Sequence, residues 1–316
     1  MAIFDIITHL TEKQKLLPSY DFYLNMSGRK SFAEFEYTFV FDDHEVVYRY
    51  SKNDVNTLKS ESLSIDGKEV IFFDFLTRDG FTLLEGSDTL NASIKSDSPI
   101  SRVKYVNNNS ILTDNIQNQV FKKFIDFVDR MLLFYSLDSR GYEGFMNGSE
   151  GVAEGIVNSG KVQDFQKFLK ENGIDYQLYE CEVDGRKSIY CHFDNKDADF
   201  FKIASTGTRS LALFYYWYIR MEKASLVFID EFDAFYHYEM AENVMRYFKK
   251  KYPRCQVIMT SHNTNLMTNR LMRPDCMFIL SRRGTLTALC NATDRELREG
   301  HNLGKMYISG EFERYE

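Results

Sequence analysis

The residues best suited to chemistry stand at the end of one apolar run. Ser225-Leu226-Val227-Phe228-Ile229-Asp230-Glu231 reads as a strand finishing in two adjacent carboxylates. At the carboxyl edge of a parallel sheet successive residues point different ways, so Asp230 can face a Mg²⁺ ion while Glu231 faces the water that attacks a phosphate. The plainer alternative is a strand that ends in solvated acids. A second apolar run, Val257-Ile258-Met259-Thr260, ends in Ser261-His262 and puts an imidazole at the end of a neighbouring strand. Alone, that histidine reads as a capping or packing residue. Upstream, Ala204-Ser205-Thr206-Gly207-Thr208-Arg209-Ser210 opens an aromatic-rich helix. A turn bearing hydroxyls and glycine can hold a phosphate at a helix N-terminus, or simply cap the helix.

Such residues need a scaffold that delivers strand ends to one edge. From 200 onward a helix at 208–222, a strand at 225–230, a helix at 238–251, a strand at 255–260, a helix at 264–271 and a strand at 276–280 alternate. Short apolar strands separated by helices predict a parallel sheet covered on both faces. The first half differs. Ile3, Ile6, Ile7 and Leu10 share one face of a helix over 2–11. Runs over 32–41, 45–50, 62–65 and 69–75, divided by Asp-Asp and Asp-Gly turn signals, predict an antiparallel meander. Residues 86–115 read as loop, 120–135 as one amphipathic helix, and the polar, glycine-bearing stretch to about 161 as irregular. A helix over 162–171 precedes strands at 176–183 and 188–193 joined by Asp-Gly. The expected class is α/β in three parts: 1–80 with the first helix and meander, 81–199 as a helical insertion region, and 200–316 as the lobe carrying the candidate site.

Composition bounds the function. The chain has 316 residues, 44% hydrophobic and 27% charged, which excludes disorder and collagen. It lacks a secretory leader and any apolar run long enough for a membrane span, so the expectation is a cytoplasmic protein. A net charge of -7 argues against a surface built for nucleic acid. Lys249, Lys250, Lys251 and Arg254 close a helix whose dipole favours cations, and Arg282 and Arg283 sit beside Gly284 in an expected hairpin. The five cysteines are widely spaced and never C-x-x-C; they read as packing residues.

In this order and spacing the three elements resemble the C-terminal half of an ABC-type ATPase head. The nearest likeness is to the RecF and OLD (overcoming lysogenization defect) branch of bacterial AAA-family ATP-binding proteins, relatives of the SMC heads. Ser205 to Arg209 is similar to a divergent signature motif, LVFIDE to Walker B with its catalytic glutamate, Asp233 to His237 to the D-loop, and Thr260-Ser261-His262 to the switch-histidine strand. The tail, Glu296 to Leu303 and then Ser309-Gly310-Glu311-Phe312, is also similar to the ending of these proteins. The likeness is specific over about 200–316 and architectural over 1–199. It implies ATP and Mg²⁺ as ligands, Asp230 on the metal, Glu231 and His262 in catalysis, and Ser205, Gly207 and Thr208 on the nucleotide. It further implies a nucleotide-dependent homodimer acting in phage defence or DNA repair through an effector or nuclease partner; a DNA surface is not indicated by the charge.

Two departures stand out. His237 occupies the place of the D-loop aspartate of transporter-like ATPases, as in the OLD branch. The phosphate loop G-x-x-x-x-G-K-[ST] (Walker A) is missing. Gly155-Ile156-Val157-Asn158-Ser159-Gly160-Lys161 comes nearest, but Val162 follows it and no strand precedes it; Gly28-Arg29-Lys30-Ser31 lacks the earlier glycine. In the relatives that loop opens a helix whose continuation is similar to Ala2-Ile3-Phe4-Asp5-Ile6-Ile7. The chain is therefore expected to start one turn late, through a start codon placed downstream of the true one or through loss of the first strand and loop. Two other readings stay open: a degenerate, non-hydrolysing interaction subunit, and a nuclease with Asp230, Glu231 and Asp233 as metal ligands.

Overall fold

The computed structural model describes residues 2–11, 23–24, 28–89, 100–135, 141–144 and 151–315. Contacts divide the chain into two compact units, the first 1–133, 142–147 and 224–226, the second 134–141, 148–223 and 227–316.

Helix α1 (Ala2–Leu10) opens the first unit and buries Ile6, Ile7 and Leu10, on the face its periodicity predicts. A meander follows: β1 (Ala33–Phe41), β2 (His44–Lys52), β3 (Leu58–Ile65), β4 (Lys68–Asp74) and β5 (Asp79–Thr82), each antiparallel to the next. Asp42-Asp43 and Asp66-Gly67 turn with both residues at positive φ, the twist that two-residue hairpins need. Asp5, on the buried side of α1, is compensated. Its carboxylate accepts from Lys52 Nζ at 2.7 Å, Tyr50 Oη at 2.8 Å and Tyr23 Oη at 2.7 Å. His9 and Glu61 form a second buried group. Tyr48 Oη donates to Glu61 at 2.5 Å, so its lone pair receives His9 Nε2–H at 2.7 Å.

The chain continues into α2 (Arg102–Asn109), α3 (Ile116–Asp129), β6 (Met131–Tyr135) and β7 (Gly141–Gly144). Helix α3 buries Phe121, Phe124 and Val128, and Phe124 meets Tyr48 and Phe39 at ring-centroid distances of 5.4 and 5.3 Å. Two expectations fail in this stretch. Part of the 86–115 loop is α2, started by Ser101, whose side chain accepts from Lys104 N–H. Its run of asparagines argues against helix, but burial of Val103 and Val106 outweighs that weak propensity. Residues 120–135 are not one helix either: α3 stops at Asp129, and MLLFY is the strand β6. A short, wholly apolar run has no period to separate helix from strand. Residues 90–99 of the expected loop lie outside the described residues.

In the second unit α4 (Val152–Asn158) replaces part of the irregular stretch expected before 161, and α5 (Val162–Glu171) has the predicted bounds. Strands β8 (Gln177–Val183), β9 (Arg186–Phe193) and β10 (Lys196–Asp199) form an antiparallel sheet. After α6 (Phe200–Ile203) comes α7 (Thr206–Tyr218), which buries Leu211, Ala212 and Phe214 to Trp217. Such a helix is central. Phe168 on α5 meets Tyr215 at a tilt with ring centroids 5.0 Å apart, and Phe214 meets Phe248 of α8 (Tyr238–Lys251) edge-on at 5.4 Å. Strand β11 (Leu226–Asp230) leads into α8, and β12 (Gln256–Met259) follows it, in a sheet ordered β12-β11-β6-β7. Thr260 N–H donates to Ile229 C=O at 3.0 Å and Thr260 C=O accepts from Phe232 N–H at 3.1 Å. A residue that donates to one position of its neighbour and accepts from a later one belongs to parallel strands, and here Glu231 adds one extra residue between the two bonds. The fold is thus mixed α/β, with an antiparallel meander and a parallel sheet.

Two further expectations need correction. The helix expected over 264–271 shrinks to one 3₁₀ turn, Thr264–Leu266, because asparagine side chains serve other backbone groups: Asn263 Oδ1 accepts from Asn265 N–H, and Asn269 Nδ2 donates to Arg298 C=O. The strand expected at 276–280 does not join the parallel sheet. Instead β13 (Phe278–Leu280) pairs antiparallel with β14 (Leu286–Ala288) through the Arg282-Arg283-Gly284 turn, where Gly284 has φ 78. Helix α9 (Leu303–Ile308) packs Leu303 with Ile279, Leu289 and Phe312 in a small separate core. Among the described residues β12 is therefore an edge strand, with Ile258 37% exposed. No helix among the described residues is long and apolar enough to cross a membrane.

Candidate functional site

Asp230 ends β11 with its side chain exposed, and Glu231 turns the chain with φ 44, a left-handed conformation costly for a residue with a Cβ. Thr260, just past β12, holds both. Its Oγ1 donates to Asp230 Oδ1 at 2.7 Å and accepts from Glu231 N–H at 2.7 Å. With the two backbone bonds above, Thr260 makes the end of β11 and the first step of the following loop one hydrogen-bonded unit. Two residues on, His262 Nε2 stands 3.6 Å from Glu231 Oε1, too far for a hydrogen bond. The His262 side chain is 91% exposed and that of Glu231 32%, so solvent screens the pair and leaves both free to take another partner.

The turn before α7 comes against the same loop. Ser205 is the N-cap: its Oγ accepts from Thr208 N–H at 3.1 Å and lies 2.8 Å from Thr208 Oγ1. Ser205 and Thr206 are exposed, whereas Thr208 is buried and its hydroxyl is engaged with Ser205. Gly207 is where the approach is tightest: a Cβ there would lie 2.6 Å from Phe235 C=O. The loop from Glu231 to His237 is closed by Ala234 N–H on Glu231 C=O and Tyr236 N–H on Asp233 C=O, both 3.0 Å, and His237 then caps α8 without a side-chain bond. Burial raises the pKa of the Tyr236 phenol.

The structure thus brings Asp230, Glu231 and His262 together through Thr260, and sets Ser205 and Gly207 beside the same loop through Phe235. The segment nearest in sequence to a phosphate loop has another shape. Gly155 lies inside α4, and Lys161 caps α5 with its Nζ 2.8 Å from Asp164 Oδ2. Among the described residues, no three or more His, Cys, Asp or Glu side chains are grouped to hold a metal. A donor set with Asp230 as the single protein ligand fits Mg²⁺, which keeps waters and phosphate oxygens alongside one or two carboxylates. Two of the cations closing α8 have partners in the fold: Lys249 Nζ donates to Leu271 C=O, and Lys251 lies over the Tyr218 ring at 4.5 Å. Sequence reasoning missed Thr260 as a site residue and took in Phe235 only as part of the Asp233–His237 segment, not as the neighbour of Gly207. A threonine after an apolar run is common, and a backbone carbonyl has no sequence signal at all.

Comparison with known proteins places the chain. A family described as "AAA domain, putative AbiEii toxin, Type IV TA system" matches residues 12–268, and the chain belongs to that AAA family. Among solved structures it is similar to an SMC head domain from Thermotoga maritima, with 14% identity over 74% of this chain and 65% of that one, at a TM-score of 0.32. It is also similar to an SMC head bound to the C-terminal winged-helix domain of ScpA, with 12% identity over 74% of this chain and 67% of that one, at a TM-score of 0.33. The chain thus spans just under two thirds of the length of the first of these. No curated protein matches it significantly.

Proposed function

We propose that the chain is a nucleotide-driven switch in which Asp230 binds Mg²⁺, Glu231 polarises the attacking water, His262 meets the terminal phosphate, and the Ser205–Gly207 turn completes the site of a second copy. Thr208 supports that turn from inside. ATPases of AAA and ABC type bind ATP with Mg²⁺, and the bound ion would neutralise charge developing on the phosphate oxygens. The observation carrying the reading is the Thr260 clamp. It holds the Asp230 carboxylate and the Glu231 backbone N–H at the end of a parallel strand, with an exposed imidazole 3.6 Å from the Glu231 carboxylate. Asp230 uses Oδ1 to hold Thr260 and has no other hydrogen-bond partner among the described residues, which leaves Oδ2 for a metal. In this reading residues 200–316 carry the chemistry, and a protein effector, as the toxin–antitoxin description of the family suggests, couples it to phage defence or repair in the cytoplasm.

A second reading, a non-hydrolysing interaction subunit, draws support from the helix–turn–helix geometry of Gly155–Lys161. Light scattering separates the two. A Glu231→Gln chain should double in mass with saturating Mg·ATP, and Ser205→Arg should abolish the doubling by adding bulk at the closing face. An unchanged mass in Glu231→Gln favours the interaction subunit.

A further inference from the structure

The expectation that all five cysteines are packing residues holds for Cys191, which is buried, and fails for Cys276 and Cys290, which are exposed. These two are far apart in sequence and opposite one another in the fold. Strands β13 and β14 pair Leu280 with Leu286, Ile279 with Thr287 and Phe278 with Ala288. The pairing runs one step further, since Leu289 N–H donates to Met277 C=O at 2.8 Å. The next residues outward are Cys276 and Cys290. Face alternation agrees: Ile279 and Leu289 point into the small core, whereas Phe278, Leu280 and Leu286 lie on the exposed face. Cys276 and Cys290 continue that exposed face. The 3₁₀ turns carrying them, Pro274–Cys276 and Leu289–Asn291, pack against each other.

The last bond between the two segments is that of Leu289 N–H with Met277 C=O, and the next residue on each side, Cys290 and Cys276, is exposed in one of the two 3₁₀ turns that pack together. A disulfide requires Cα atoms roughly 4.4–6.8 Å apart, a spacing that neighbouring turns supply.

We propose that Cys276 and Cys290 form a thiol pair that reacts with low-molecular-weight disulfides to give a reversible intramolecular disulfide across the base of this hairpin. In the first exchange the Cys276 thiolate attacks one sulfur of the small disulfide; its S–S bond breaks and one thiol leaves, taking up a proton. Cys290, as thiolate, then attacks the Cys276 sulfur and expels the second thiol. The cysteines lose two electrons and two protons, and the small disulfide gains both. This assignment is independent of the ATPase reading.

Arg282 and Arg283 lie between the two cysteines, so trypsin separates them onto different peptides unless they are linked. The reduced full chain is treated with glutathione disulfide, blocked with N-ethylmaleimide, digested and analysed by mass spectrometry. The expected main product is the Cys276 peptide joined to the Cys290 peptide, two hydrogens lighter than their sum and separated by dithiothreitol. Cys276→Ser should remove the link and leave Cys290 as a glutathione adduct or a free thiol. Separate glutathione adducts on both cysteines of the unmodified chain, links to Cys181, Cys191 or Cys255 in place of this one, or no reaction would each overturn the proposal.

Discussion

A threonine hydroxyl has one proton to give and lone pairs to receive, and Thr260 uses both. Thr260→Val keeps the shape but strips a partner from Asp230 and leaves the Glu231 N–H without its acceptor. The expected loss is about 1–3 kcal/mol, toward the lower end because water reaches the site. Urea unfolding measures it, and Thr260→Ser should restore most of it; equal losses in both variants would assign the effect to packing. Gly207 makes a second prediction. Its neighbour is a backbone carbonyl that cannot swing aside, so Gly207→Ala should cost about 1–3 kcal/mol and disturb the loop carrying Glu231. A stability equal to the parent would show that the α7 turn and that loop move freely past each other. Asp230, Glu231 and His262 were legible in the sequence because acids and imidazoles at the ends of apolar runs are chemically conspicuous. The groups that join them were not, since one is a hydroxyl among many and the other a main-chain oxygen.

Elements were legible where their periodicity was strong and illegible where tertiary packing decided. The α1 face, the hairpin turns and the bounds of α5 and α8 followed from side-chain spacing and turn chemistry. Helix α2 and strand β6 did not, because burial overrode propensity in one and an apolar run concealed its period in the other. The sequence showed the apolar stripe of α1 but not that Asp5 and His9 of the same helix are held by buried polar partners from the meander. Burial dominates at His9 and lowers its pKa, so the imidazole stays neutral. Burial also opposes ionisation of Glu61, but His9, Ser101 and Tyr48 outweigh it and the carboxyl lies below its usual range. Both shifts act in one direction. An unfolded imidazole binds a proton below about pH 6.5 while buried His9 resists it, so stability falls as pH drops from there toward the folded value. Glu61 adds stability above its unfolded pKa, and that contribution is lost as pH falls through its folded one. Calorimetry should show Tm declining below about pH 6.5, with a shallower decline in His9→Phe. Identical slopes in the two proteins would remove His9 from this account.

At the scale of the whole chain, membership of the AAA family and the strand-end acids point the same way, although the first unit carries no chemistry read from its sequence. The Glu231 left-handed turn is strain at the place where function is proposed. If Glu231 is the base, its amide should bind the same nucleotide and turn it over far more slowly. If Asp230 is the metal ligand, its amide should lose the Mg²⁺-dependent part of binding. The direct measurement is Mg·ATP hydrolysis together with calorimetric binding, for the parent chain, Glu231→Gln and Asp230→Asn. In a parent to which a phosphate loop has been joined, the expected result is binding and turnover, with turnover lowered about 10²–10⁴-fold and binding kept in Glu231→Gln, and weakened Mg²⁺-dependent binding in Asp230→Asn. Near-parental turnover in both variants, or no binding of Mg·ATP by that loop-bearing parent at millimolar concentration, would contradict the assignment of this site to nucleotide hydrolysis.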